Sequence, residues 1–243
     1  MNADSGNTPN GEMFRVVSYN IRAGLGMDGR RSIRRVAEVL APLSPDIVCL
    51  QEVDQHAPRS WLANQPKFLS VRLGMQDVFQ RNVRFDGGGG FGNCILAKPF
   101  AQHCRCHPLP GDGEPRGLLE VTATVSGRHL TAFCTHLALE PHTRIEQARK
   151  VLEIVRSARG PRILCGDMND VLGSRTLSIL LDDPVLRDVA LEFDAGGIAT
   201  YPPGGGKRID FVLADLALTV KSYEVVDSQV SDHLPLVVDF EFS

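Results

Sequence analysis

Residues 118–136 read LLEVTATVSGRHLTAFCTH: two long runs of β-branched and apolar residues, Leu118 to Ser126 and Arg128 to His136, joined only by Ser126-Gly127-Arg128. Runs of this composition form strands, and so short a link makes them an antiparallel hairpin. Working outward, further strands are predicted over Phe14 to Asn20, Ile47 to Glu52, Gln76 to Arg81, Gly92 to Ala97 and His103 to Pro108. Beyond the hairpin they are predicted over Arg162 to Asp167, Arg208 to Ala214, Leu218 to Val226 and Leu236 to Phe242. Ser32 is placed to cap a helix with Ile33, Val36, Ala37 and Leu40 on one face, ended by Pro42 and Pro45. Pro141 opens another with Ile145, Ala148, Leu152 and Val155 inward and Arg144, Gln147 and Arg149 toward the polar sides. Weaker helices are expected over Pro66 to Leu73 and Ser174 to Leu181. Strand-helix-strand units at both ends of a block of strands, with a hairpin inside, imply mixed and mainly antiparallel sheets. Two such sheets packed face to face, with helices on the outside, satisfy the apolar runs in an α/β (α+β) fold.

At 243 residues and 43% hydrophobic content the chain can bury a large core. Residues 13–243 are expected to form one domain, and Met1 to Glu12, polar and without an apolar stretch, a disordered tail. The net charge of −3, 26 basic against 29 acidic residues, argues against nucleic-acid binding driven by an overall positive field. No run reaches membrane-spanning length. Cys49, Cys94, Cys104, Cys106, Cys134 and Cys165 fall mostly in strands, where a free thiol behaves as a small apolar side chain. His103-Cys104-Arg105-Cys106-His107 is read as an edge strand with buried thiols and exposed imidazoles rather than a zinc site. The setting this implies is reducing and cytoplasmic. Gly87 to Gly90 and Gly204 to Gly206 lack the Lys-Ser/Thr of a phosphate loop and are read as surface linkers.

The chemistry lies at strand ends. Asn20, Glu52, His136 and the Asp167-Met168-Asn169 stretch each close a predicted strand, Asp210 interrupts an apolar one, and Asp232-His233 precedes the last. Taken singly, each has a bland reading as a cap, a turn or a solvated loop residue. Jointly, four carboxylates and two amide oxygens are the hard ligands that Mg²⁺, Mn²⁺ or Ca²⁺ takes, and two imidazoles can move protons near neutral pH. Asp210, inside an apolar strand, needs a histidine or a metal as partner.

Val17-Ser18-Tyr19-Asn20, Cys49-Leu50-Gln51-Glu52-Val53, Gly92-Asn93, Thr135-His136-Leu137, Gly166-Asp167-Met168-Asn169, Arg208-Ile209-Asp210-Phe211 and Ser231-Asp232-His233 resemble, in order, the motifs of the endonuclease/exonuclease/phosphatase superfamily with the deoxyribonuclease I-like fold. The short Thr-His-Leu sequence resembles one subgroup and departs from the abasic-site endonucleases. The resemblance implies a four-layer sandwich and a divalent-metal phosphoesterase. It implies Glu52 as principal metal ligand with Asn20 and Asp232 beside it, and Asp167 as the group that activates water. Asn169 would hold the phosphate, His233 would contact a phosphoryl oxygen or act as base with Asp210 orienting it, and His136 would sit near the leaving group. Asn93, Arg116 and Arg144 are implied as substrate contacts.

The expected function is hydrolysis of a phosphate ester, most plainly a phosphodiester, by an activated water. A nucleic-acid endo- or exonuclease is the alternative, and a binding module that keeps the fold without chemistry stands behind both. Nucleic acid is not the favoured partner, because aromatics make up only 6% of the chain and no basic insertion is evident. Arg30, Arg31, Arg34 and Arg35 cluster after the Asn20 loop and are read as a solvated helix face, with contact to an anionic substrate as the second reading. A monomer is expected.

Overall fold

A computed structural model describes residues 13–98, 101–182, 184 and 186–243; the tail expected over residues 1–12 lies outside them. The strands are β1 (Phe14–Asn20), β2 (Ile47–Gln55), β3 (Gln76–Arg84), β4 (Gly90–Ala97), β5 (Ala101–Pro108), β6 (Gly117–Val125), β7 (Arg128–His136), β8 (Arg162–Asp167), β9 (Leu186–Asp188), β10 (Asp210–Asp215), β11 (Leu218–Val225) and β12 (Leu236–Phe242). The α-helices are α1 (Ile33–Leu43), α2 (Gln65–Leu73), α3 (Pro141–Ser157) and α4 (Arg175–Leu180). One six-stranded sheet runs β11-β12-β1-β2-β4-β3, the other β5-β6-β7-β8-β10-β9.

Each sheet contains one parallel pair, β1 with β2 and β7 with β8. The crossovers are α1 and α3, since a parallel pair needs a connection long enough to return. All other described pairings are antiparallel. Period-two alternation divides every central strand between two layers. Phe14, Val16, Ile47, Cys49, Leu130, Ala132, Ile163, Cys165 and Val212 meet between the sheets. Val17, Tyr19, Val48 and Leu50 face Val36, Ala37 and Leu40 of α1, while Phe133, Leu164 and Phe211 face Ala148, Val151 and Val155 of α3. The result is the four-layer sandwich, helices outside.

Differences from expectation are local. Pro42 lies inside the last turn of α1, and the helix ends at Ser44 in the left-handed region. Ser32 occupies the N-cap without a capping bond, whereas Glu140 caps α3 through His142 N and Thr143 N. Strand β5 is the edge strand expected, but Cys104 and Cys106 are exposed rather than buried, since residues 102–106 are uncovered on both faces of it. Strand β9 was not expected: three residues are too few to show alternation. It is held by Asp188, buried against the equally buried Arg208 (Nη1 to Oδ2 2.8 Å), whose guanidinium also stacks 4.2 Å from the Phe211 ring.

Replacing Asp188 with alanine strands that guanidinium without its partner. A stability loss of about 3–5 kcal/mol is expected in urea unfolding; a loss within the error of the measurement would show the pair to be dispensable.

Candidate active site

The positions that line the inter-sheet core continue, one step further along each strand, as polar groups. Phe14-Val16-Ser18 leads to Asn20, Leu130-Ala132-Cys134 to His136, Ile163-Cys165 to Asp167, and Ala214-Val212 back to Asp210. Parallel pairing puts the ends of β1 and β2, and of β7 and β8, at the same edge. Antiparallel β10 starts there, with Asp210 directly opposite Asp167. So does β12, whose Leu236 pairs with Ser18, which leaves His233 just beyond the end of β1.

Glu52 breaks this parity and needs a device. A β-bulge lies between Leu50 and Val53, opposite β4, and Glu52 has φ 55°. The extra residue lets Gln51 stay buried in the core while Glu52 also reaches the site. Asn169, at φ 50°, makes a similar left-handed turn after β8. Gly166 is needed where β8 approaches β7, since a Cβ there would lie 2.1 Å from the Thr135 carbonyl oxygen.

These elements line a cleft of about 510 Å³ that holds Glu52, Arg116, His136, Asp167, Asn169, Asp232 and His233. The Asn20 amide donates to Glu52 Oε1 (3.2 Å) and Asp167 Oδ2 (3.0 Å), and its oxygen accepts from Arg22 N. Expected as a ligand, Asn20 here spaces and orients two carboxylates. Asp167 accepts Asn169 N through Oδ1 at 2.9 Å, and its Oδ2 lies 3.4 Å from His136 Nε2 and 3.6 Å from His233 Nε2. His233 Nδ1 is 2.9 Å from Asp210 Oδ2, which also accepts the Thr200 hydroxyl at 2.6 Å. The Tyr201 ring packs 4.9 Å from the imidazole.

Electrostatics separates the two histidines. Burial, then the charges of Arg116 and His233, hold His136 well below the ordinary imidazole range. Arg116 Nη1 lies 2.9 Å from His136 Nδ1 and cannot accept, so Nδ1 is the acceptor and the neutral ring carries its proton on Nε2, facing Asp167. Asn169 Nδ2, 3.0 Å from that same nitrogen, gives one of its two hydrogens to the Leu137 carbonyl. For His233, burial would lower the pKa, but Asp210, then Asp167 and Asp232, raise it to about 9. Burial, followed by the charge of Asp210, raises Asp167 to about 7. Glu52 is likewise raised by burial and by Asp232, and eased by Asn20.

Two expected substrate contacts are engaged elsewhere. Asn93 is buried beneath the cleft, its amide donating to the Gly117 and Cys134 carbonyls. Arg144, expected on a polar side of α3, is buried with Gln147. It binds Asp170 and the Ala138 and Leu139 carbonyls, bracing the loop after His136. Of the arginine cluster, Arg31 turns inward to the Arg22 and Ala23 carbonyls and Arg35 pairs with Asp28, which leaves Arg30 and Arg34 exposed. Arg59, Tyr201 and Lys207 also line the cleft and carried no sequence signal beyond their neighbourhood to Glu52 and Asp210.

The donors suit a hard divalent cation. Glu52 and Asp232 both bring carboxylate oxygens to the cleft; Glu52 receives one described hydrogen bond, from an amide, and Asp232 pairs with the Arg22 guanidinium at 3.2 Å.

A search of the curated proteins found no match. Among solved structures, the endonuclease/exonuclease/phosphatase from Beutenbergia cavernae is 26% identical with a TM-score of 0.82, over 95% of this chain and 72% of that one. The human Nocturnin catalytic domain, with bound sulfate anion, is 23% identical (TM-score 0.75; 95% and 94%). TDP2 of D. rerio, complexed with single strand DNA product, is 19% identical (TM-score 0.76; 95% and 99%). The sequence profile of the Endonuclease/Exonuclease/phosphatase family matches residues 17–233, most of the chain and every strand end that builds the cleft; the protein belongs to that family.

Proposed function

We propose that the chain is a divalent-metal-dependent phosphodiesterase that attacks phosphorus with an activated water. The observation that supports this most is one buried carboxylate, Asp167 Oδ2, standing within 3.6 Å of both His136 Nε2 and His233 Nε2 in the cleft. Asp167 is the water-activating base: with a pKa of about 7 it can hold the proton it takes. His233, charged and aimed by Asp210, donates from Nε2 to a phosphoryl oxygen. His136, neutral and fixed by Arg116, offers a hydrogen bond to the developing leaving group without carrying charge there. Glu52 and Asp232 would hold Mg²⁺ or Mn²⁺, with Asn20 tying Glu52 to Asp167, and the bound ion would supply charge neutralisation at phosphorus.

Nuclease action is the second reading, favoured by the exposed Arg30 and Arg34 and by a fold relative solved with a DNA product. A non-catalytic module would show gaps among the carboxylates and imidazoles, and the set is complete. No helix among the described residues is long and apolar enough to cross a membrane, and all six thiols are free, which fits a reducing compartment.

Bis(4-nitrophenyl) phosphate with Mg²⁺ or Mn²⁺ tests the chemistry. Asp167→Asn is expected to lower kcat on the order of a hundredfold or more; a variant with full turnover contradicts the assignment. Excess EDTA should abolish turnover and added Mg²⁺ restore it, whereas undiminished activity in EDTA would remove the metal from the scheme. The pH profile should rise through about 7 as Asp167 deprotonates and fall through about 9 as His233 loses its proton, a bound cation drawing both limbs lower. Asp210→Asn removes the charge that raises His233, so the alkaline limb should move to lower pH; an unmoved limb would assign it to another group.

A further inference from the structure

The turn after β2 carries features the catalytic cleft does not explain. Asp54 is fully buried and grips Arg59 in a fork, Nη2 to Oδ1 at 2.8 Å and Nε to Oδ2 at 3.0 Å. The guanidinium is also stacked 4.6 Å from the Phe91 ring and 5.6 Å from Phe85. Its remaining nitrogen, Nη1, has no described protein partner, and Arg59 lines the same cleft as Glu52 and His233. This is a cation held rigid at the edge of the cleft, with one nitrogen left over.

Immediately after it, Trp61 is 76% exposed and Leu62 61% exposed, both left-handed at φ 53° and φ 59°. Bulky side chains rarely adopt this conformation, and here it is maintained by a turn with bonds from Trp61 N to Pro58 O and from Leu62 N to Ala57 O. Trp61 forms one wall of a groove of about 260 Å³ with Arg31, Arg34, Ser60 and Phe68. The turn Pro58–Ser60 is thus a partition: Arg59 faces the catalytic cleft, while Ser60 and Trp61 face the groove. Burial, then the charge of Arg59, lowers the pKa of Arg31, with Asp54 and Glu52 opposing, which places the Arg31 and Arg59 guanidiniums near one another.

We infer that this groove is a subsite for the nucleotide adjoining the scissile phosphate of a single-stranded nucleic acid, the base stacked on Trp61 and its phosphate on Arg34, while Arg59 meets the strand on the cleft side of the turn. The ligand must present a flat apolar face beside a phosphate, repeated at short intervals along a flexible chain, which is the chemistry of an unpaired strand. Trp61 is exposed in a groove that it shares with Arg31 and Arg34, and the groove is separated from the catalytic cleft only by the turn Pro58–Ser60, so a ligand that crosses from one to the other meets an aromatic face and cationic groups in close succession. The inference rests on the phosphodiesterase reading and narrows its substrate class.

Trp61 is the only tryptophan of the chain, so its fluorescence reports on the groove alone. In the full chain bearing Asp167→Asn, with Mg²⁺ present, oligothymidylate is expected to quench that emission, and added salt to weaken the effect. No quenching overturns the inference, as does a blue shift on phosphatidylglycerol vesicles with no response to the oligonucleotide. In the otherwise native chain, Trp61→Ala should cut the ratio of kcat/KM for the oligonucleotide over bis(4-nitrophenyl) phosphate about tenfold. Trp61→Phe should recover most of it. An unchanged ratio for Trp61→Ala refutes the subsite. Hydrolysis of the nitrophenyl diester is the separate check on the phosphodiesterase reading: if it persists while quenching is absent, only the subsite fails.

Discussion

Two carboxylates share one imidazole at the closed end of the inter-sheet core, and the rest of the cleft is arranged around that fact. Asp167 and Asp210 face each other across the β8–β10 pairing, both almost wholly buried, and His233 lies between them. Like charges at such range cannot both remain ionised in a dry site unless a positive group divides them. His233, held charged by Asp210, is that group, and it leaves Asp167 with a proton affinity near neutrality. Thr200 completes the arrangement by donating to Asp210 and accepting its backbone N–H.

The scaffold brings these groups together by repetition. Two strand-helix-strand units, packed sheet to sheet, present the ends of four parallel-paired strands at one edge, and the antiparallel β10 and β12 add their beginnings. Polar groups stand there because the alternation that fills the core runs on past its rim. The rim needs one exception, the bulge at Glu52. Behind it, Asp54 holds Arg59, so a single irregular segment delivers both the acid wall and the cationic wall of the cleft.

Much of this was readable from the chain. Strand ends carrying Asn20, His136 and Asp167 follow from apolar alternation, and the hairpin at Gly127 predicts antiparallel pairing. The errors share a cause. Arg144 and Gln147 fall at helical positions that amphipathic spacing assigns to the flank, yet the loop after His136 supplies a carbonyl to Arg144 and a backbone N–H to Gln147, and Asp170, beyond β8, supplies a carboxylate to Arg144. Asn93 carries a recognisable motif, but its amide is consumed by two carbonyls of the facing sheet. The edge position of β5 was legible, but residues 102–106 are exposed on both faces of the strand, thiols included, and what covers a face is not a property of local pattern.

The sequence by itself determined the layers, the strand ends and the residue types able to hold a cation and move a proton, because alternation and turn chemistry are local properties. Only the tertiary structure decided which histidine is charged and which is neutral, that Arg59 joins the cleft, and that Arg144 does not. Those outcomes depend on burial and on partners distant in the chain, Asp210 for His233, Arg116 for His136 and Asp170 for Arg144, and no local pattern encodes them.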